Sequence, residues 1–252
     1  MFSFKKSKKL RPAIFPHIQK TAGTSVQEIA RRHYGENQVC SHADYQTLDL
    51  DECAKFPFIS GHFGMIFAEP LLADRYLFTF LREPTERVVS LYKYLSKQPA
   101  EQSELAAAAR TQSLKEFLLQ ANKPKFSQHL WNAQAWQLHS GWGSRKAREQ
   151  ADANLLGDPR QIDPNALLDR ARQNLRRFDY IGFVDSFESD IRNIFADLGA
   201  PKIKVLHSNA SKVEIHQPDE ETLALIEELT ALDRVIFDEA KKLVSHRSGG
   251  TG

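Results

Sequence analysis

Short unbroken apolar runs alternate along the chain with longer segments whose apolar residues recur every three or four positions. Residues 13–18, Ala-Ile-Phe-Pro-His-Ile, lead through Gln19-Lys20-Thr21-Ala22-Gly23-Thr24-Ser25 into Val26, Ile29 and Ala30 at helical spacing. That pattern predicts strand, loop and helix. Pro16 has no amide proton to give a sheet ladder, so the strand is expected to be shortened or bulged there. The plan repeats in the run Arg75 to Leu81, the loop Arg82-Glu83-Pro84-Thr85-Glu86-Arg87, and the stripe Val88, Val89, Leu91, Tyr92, Leu95. The second run is almost wholly apolar, as a strand buried on both faces of a parallel sheet would be, and Pro84 suits a first helical turn. A third strand is predicted from Tyr180 to Val184, followed by a helix through Phe187, Ile191, Ile194, Phe195 and Leu198 that Gly199 and Pro201 stop. One long helix is predicted over residues 219–245. It carries Leu225, Ile226, Leu229, Leu232, Val235, Ile236 and Leu243 on a packing stripe, with acids at its start and Lys241 and Lys242 near its end.

Strands alternating with helices predict an α/β fold with a central parallel sheet flanked by helices, and ligands in such folds gather at strand carboxyl ends. A length of 252 residues fits one such domain. We expect a basic arm over 1–11 (Lys5, Lys6, Lys8, Lys9, Arg11), the domain over 12–247 and a flexible tail over 248–252. Residues 97–113 and 140–165 are less regular and could form a lid or an insertion. The net charge of +2, from 34 basic and 32 acidic residues, supplies no global field for nucleic acid, so any anion site must be local. No apolar run approaches a membrane span, none after the basic arm suits a signal or anchor, and a cytoplasmic protein is expected. Cys40 and Cys53 are expected as reduced thiols, although one bridge is open to them. A zinc site with His42 and His62 would lack the usual ligand spacings, and no metal is expected.

The loop Gln19 to Ser25 sets small residues, a lysine and three hydroxyls between a strand end and a helix start, which is an anion cradle. The lysine precedes the glycine, so it is not a Walker A loop. Arg82 ends the second strand and Ser90 follows eight residues later. On their own these two read as an ion pair with Glu83 or Glu86 and a surface hydroxyl. Together, however, the segments resemble the carbohydrate sulfotransferases, especially the heparan sulfate 2-O- and 6-O-sulfotransferase relatives and their bacterial cousins. His17-Ile-Gln-Lys20-Thr21-Ala22-Gly23-Thr24 matches the family's 5′-phosphosulfate segment, and Arg82-Glu83-Pro84-Thr85-Glu86-Arg87-Val88-Val89-Ser90 matches its 3′-phosphate segment, in the family's order. The resemblance extends through Ser60 to Gly64, Asn132 to Gln134 and Leu175 to Phe187, and into Asp233 to Ala240.

The resemblance implies a P-loop-like nucleotide-binding fold, 3′-phosphoadenosine-5′-phosphosulfate as cosubstrate, no obligatory metal, and a hydroxyl acceptor on a carbohydrate or glycoconjugate. Lys20 would reach the bridging oxygen, Thr21, Ala22, Gly23, Thr24 and Ser25 would hold the 5′-phosphate, and Arg82 with Ser90 the 3′-phosphate. A histidine base suits neutral pH. His62 matches the Gly-His motif of the 2-O relatives and is the first choice; His42, in Ser41-His-Ala-Asp44, matches the 6-O relatives and is second. His17 and His33 are left as structural. Asn132 and Gln134 are expected near donor or acceptor, and Trp136, with Trp131 and Trp142, could stack on a sugar ring, although core packing is expected of at least one tryptophan. A kinase-like phosphotransferase would want a Walker A order and a carboxylate for magnesium. A non-catalytic anion-binding module would need neither Lys20 nor a cleft histidine.

Overall fold

Five strands, β1 (Ala13–Pro16), β2 (Val39–Cys40), β3 (Phe58–Gly61), β4 (Tyr76–Leu81) and β5 (Tyr180–Phe183), form one parallel sheet in the order β2-β3-β1-β4-β5. The computed structural model describes residues 10–143, 158–205 and 217–249. Most of the expected arm, residues 144–157 of the second irregular segment, and residues 250–252 of the tail lie outside the described residues. The chain runs from β1 to one side of the sheet, returns through β3, and then crosses β1 to reach β4. The exits of β3, β1 and β4 are therefore neighbours, at the point where an open α/β sheet makes its crevice.

Period-two alternation sorts the strand residues between two cores. Ala13, Phe15, Phe58, Phe78 and Phe80 pack with Val26 and Ile29 of α1 (Gly23–Tyr34) and with Ile191, Ile194 and Phe195 of a helix over Phe187–Asp197. Ile14, Ile59, Leu77 and Leu81 face the other way, toward Trp136, Leu167, Ala171, Ile236 and Phe237. Pro16 shortens the strand without bulging it. Its carbonyl accepts a hydrogen bond from the Thr79 hydroxyl (2.8 Å), so the missing amide faces β4, and the β1–β4 ladder ends at Ile14 opposite Leu77. The ladder to β3 continues to Pro16 opposite Gly61, and the His17 amide then donates to the Gly61 carbonyl (2.8 Å).

Among the described residues the remaining α-helices, in chain order, are α2 (His42–Thr47), α3 (Leu50–Cys53), α4 (Met65–Ala68), α5 (Pro84–Leu95), α6 (Glu104–Thr111), α7 (Leu114–Leu118), α8 (Pro124–Leu130), α9 (Ala133–His139), α10 (Pro164–Leu175), α11 (the Phe187–Asp197 helix), α12 (Glu220–Leu229) and α13 (Ala231–Gly249). Pro84 occupies the first turn of α5, and the Glu83 side chain caps it by accepting from the Glu86 amide (2.7 Å). Residues 97–113 are not an irregular lid: Ser103 caps α6, and Leu105, Ala108 and Ala109 join a third core with α5, α7, α8 and α12.

The single long helix expected over 219–245 is two helices, broken at Thr230, and the tail expected from 248 begins inside α13. Asn132, 100 residues before Leu232 in sequence, makes the break. Its Oδ1 accepts from the amides of Leu232 (2.8 Å) and Asp233 (3.3 Å), while its own amide donates to the Leu229 carbonyl (2.7 Å). Asp233 returns the favour to α9, its Oδ1 accepting from the Ala135 amide (2.7 Å). Each helix thus begins on a side chain delivered by the other, which satisfies amides that no intrahelical carbonyl can reach.

Asn132 is buried at φ 45°, a left-handed conformation that asparagine tolerates better than alanine. Asn132→Ala should therefore destabilise the protein by about 2–3 kcal/mol, through one buried and one part-buried amide left without an acceptor and backbone strain. Urea unfolding would read this, with a smaller loss expected for Asn132→Asp.

Candidate active site

The loop between β1 and α1 turns through two left-handed residues, Lys20 (φ 67°) and Ala22 (φ 71°). α1 opens with no side-chain cap and no acidic residue in its first turn, and its first internal hydrogen bond runs from the Val26 amide to the Ala22 carbonyl (3.2 Å). The positive end of a 12-residue helix is thus left to whatever anion the loop can hold. Gly23 is required by packing: a Cβ there would come within 2.0 Å of the His17 ring. Thr24 is exposed and Ser25 buried, while the Thr21 hydroxyl is turned inward to donate to the Ile18 carbonyl (2.8 Å). Thr21 therefore shapes the loop with its side chain and has its main chain left for a ligand.

The Lys20 ammonium lies 4.1 Å from the centroid of the Tyr94 ring, which projects from the last turn of α5 and is 45% exposed. Burial, and then the charges of Arg82 and Lys97, hold the Lys20 pKa below the ordinary lysine value. Arg82 leaves the end of β4 and pairs through Nε with Glu86 (3.2 Å), one of the two acids its sequence neighbourhood offered. The other, Glu83, pairs with Arg234 of α13. Ser90 is half-buried on α5. Arg87, of the same motif, is fully buried and bonds the His129 carbonyl (3.0 Å) on α8, so it braces the fold.

At the exit of β3 three histidines meet. The His62 ring lies 4.3 Å from that of His17 and 4.7 Å from that of His42, centroid to centroid. His62 Nδ1 is 2.8 Å from the His17 carbonyl. A carbonyl only accepts, so Nδ1 carries the proton and the neutral ring keeps its lone pair on Nε2. His42 meets two donors, the His62 amide at Nδ1 (3.2 Å) and the Gln46 carboxamide nitrogen at Nε2 (3.2 Å), and a neutral ring can accept from only one of them. Burial pushes the His62 pKa down to about 4, with His42 and Lys20 adding to the effect; burial and the same cationic surroundings hold His17 far below the usual histidine range. His17, expected to be structural, packs between Phe15 and His62 and shapes the loop through Gly23. His33 lies apart, against Phe195.

α9 reaches the three strand exits with two buried glutamines. The Gln134 carboxamide takes both main-chain groups of Arg82, accepting from its amide (3.1 Å) and donating to its carbonyl (2.9 Å). Gln137 donates to the carbonyls of His17 (3.0 Å) and Phe63 (2.9 Å). Three residues expected near donor or acceptor are engaged within the fold. Gln134 holds Arg82 in place; Asn132 is committed to α13; and Trp136, 1% exposed and edge-on to Trp142 at 4.8 Å, is core and cannot stack on a sugar. Sequence reasoning missed Gln137, although a glutamine three residues after Gln134 amid Ala133, Ala135, Trp136 and Leu138 is a buried-polar signal. It also missed His129, whose Nδ1 lies 2.7 Å from the Gln19 Oε1 of the loop and whose pKa burial pushes down to about 4. Cys40 and Cys53 are free, buried thiols with their sulfurs 3.8 Å apart. Among the described residues no helix is long and apolar enough to cross a membrane.

The model of the sulfotransferase family matches residues 8–238. No curated protein matches the chain.

His62 and His129 are held neutral in the fold and would titrate near the usual 6.5 when unfolded. A depressed folded pKa means that the unfolded chain binds more protons between about pH 6.5 and 4, so stability is full above that window and is lost on acidification. Each histidine contributes a slope of up to about 1.4 kcal/mol per pH unit there. Urea midpoints measured from pH 7 to 4.5 should fall steadily, and His129→Gln should flatten the decline.

Proposed function

The chain belongs to the sulfotransferase family, and from that premise we propose that it moves the sulfuryl group of 3′-phosphoadenosine-5′-phosphosulfate to a carbohydrate hydroxyl with His62 as general base. The observation that carries this reading is the proton placement on His62: Nδ1 is committed to the His17 carbonyl, and Nε2 is a lone pair at a strand exit beside the Lys20 loop. Of the two histidines, His62 is the one whose proton an obligate acceptor, the His17 carbonyl, holds on Nδ1, which favours it as the base.

The residues present suit the donor. The uncapped start of α1, with the main chain of Thr21 through Ser25, would hold the 5′-phosphate, and Arg82 with Ser90 the 3′-phosphate. When bound, the donor supplies a sulfuryl group already attached to a good leaving oxygen. His62 Nε2 takes the proton of the acceptor hydroxyl as its oxygen forms the new bond to sulfur. Lys20 neutralises the electron pair that stays on the bridging oxygen as the sulfur–oxygen bond breaks, leaving adenosine 3′,5′-bisphosphate. An ammonium that is partly desolvated and parked on a ring is free to make that move without first breaking a carboxylate pair. Tyr94 replaces Trp136 as the aromatic surface for a sugar ring, since it is exposed and touches the catalytic lysine.

Calorimetric titration should show adenosine 3′,5′-bisphosphate binding more tightly than AMP or ATP, with the preference lost in Arg82→Ala. No preference would remove the donor assignment. With an acceptor in hand, Lys20→Ala and His62→Ala should each lower kcat by about 10²–10⁴-fold. Turnover spared by His62→Ala but abolished by His42→Ala would move the base to His42.

A further inference from the structure

We infer that Gln137 is a positioning residue for the general base: by pinning the carbonyls of His17 and Phe63 it fixes the His62 imidazole with Nδ1 protonated and Nε2 free. The inference rests on the reading of His62 as the base. Gln137 is 2% exposed, and its carboxamide nitrogen has two hydrogens for the two carbonyls it meets, at 3.0 and 2.9 Å. Those carbonyls belong to the first residue past β1 and to the residue after His62. The His17 carbonyl therefore receives two donors, Gln137 Nε2 and His62 Nδ1, and both its lone pairs are used.

Little else fixes the direction of that carbonyl. That carbonyl faces β3, and the ladder between β1 and β3 has already ended at Pro16 opposite Gly61. The His17 amide is held by Gly61, but an amide hydrogen bond does not set the orientation of the next peptide plane. Without Gln137 the carbonyl could turn away and release Nδ1, and a neutral imidazole without a partner is free to carry its proton on Nε2, the nitrogen that must be bare to act as a base. The glutamine is itself confined. Gly141 packs on its stem so closely that a Cβ there would lie 3.0 Å from Gln137 Cα and Cγ. On the same helix the Asn174 carboxamide holds the Leu138 carbonyl (2.8 Å) and Asp233 the Ala135 amide (2.7 Å), which anchors α9 on either side of the residue.

The test reads the tautomer directly, by nitrogen-15 NMR of histidine-labelled protein at neutral pH, beside steady-state kinetics. Wild-type protein should show His62 protonated on Nδ1; protonation on Nε2 would overturn the proposal. Gln137→Met keeps the volume and removes both donors. It should convert His62 to a mixture of tautomers and lower kcat by about 10–100-fold, while KM for the donor stays at the wild-type value. An unchanged His62 spectrum in this variant would overturn the positioning role. If the variant cannot be purified folded, the Gln137 side-chain amide protons of the wild type decide: slow hydrogen exchange supports the clamp, and exchange as fast as a free carboxamide overturns it. Failure of the base assignment looks different, since it appears as turnover spared in His62→Ala whatever the Gln137→Met spectrum shows.

Discussion

The site depends on the requirement that a buried carboxamide use its hydrogen-bonding groups. Gln134 and Gln137 stand three residues apart on α9, and that spacing sets side chains about 5–6 Å apart along a helix. Neighbouring strands of a sheet lie about 4.8 Å apart. The two periods nearly coincide, so one helix laid across the carboxyl edge can serve β4 with one glutamine and both β1 and β3 with the other. Leaving any of these contacts unmade would strand a polar group in the interior at a cost of about 1–3 kcal/mol, so the strand exits have little freedom relative to one another. Lys20, Arg82 and His62 inherit their placement from that constraint, because each follows or ends a strand whose last carbonyl or amide is held.

A second consequence of burial is electrostatic. The chain is close to neutral overall, yet Lys20, Arg82 and Lys97 lie near enough that Lys20 feels the other two. His62, out of water and near Lys20 and His42, resists protonation. It thus stays neutral, and no carboxylate orients its ring. A main-chain carbonyl, which cannot be titrated, does that work.

Much of the fold was legible in the sequence because it rests on local pattern. The strand-loop-helix units at residues 13–34 and 76–95 follow from apolar runs bounded by Gly, Pro and hydroxyl residues, and Tyr180–Phe183 was readable in the same way. The less legible parts are those whose cause is remote. The break at Thr230 exists because Asn132 supplies acceptors that the local sequence gives no hint of. The short helices between 100 and 130 carry too few apolar positions each for a period to show, and they hold together by sharing a core with α5 and α12. The loop, Arg82 and His62 were singled out by motif, and the strand order sets the strands that carry them side by side. That a main-chain carbonyl holds the His62 proton on Nδ1 could not be found that way, since it depends on β1 and β3 being adjacent. Trp136 misled because a tryptophan reads equally well as core or as sugar platform, and only its burial separates the two.

The glycine of the anion loop has a meaning that its motif does not suggest. A glycine beside a phosphate is ordinarily explained by the ligand's need for close approach, but Gly23 is demanded by the His17 ring lying over it. The two positions are therefore one steric unit: evolution can enlarge residue 23 only after residue 17 has shrunk, and the reverse change opens a hole at the root of α1. Single substitutions are thus blocked in one direction and penalised in the other, and only a paired change at the two positions is open.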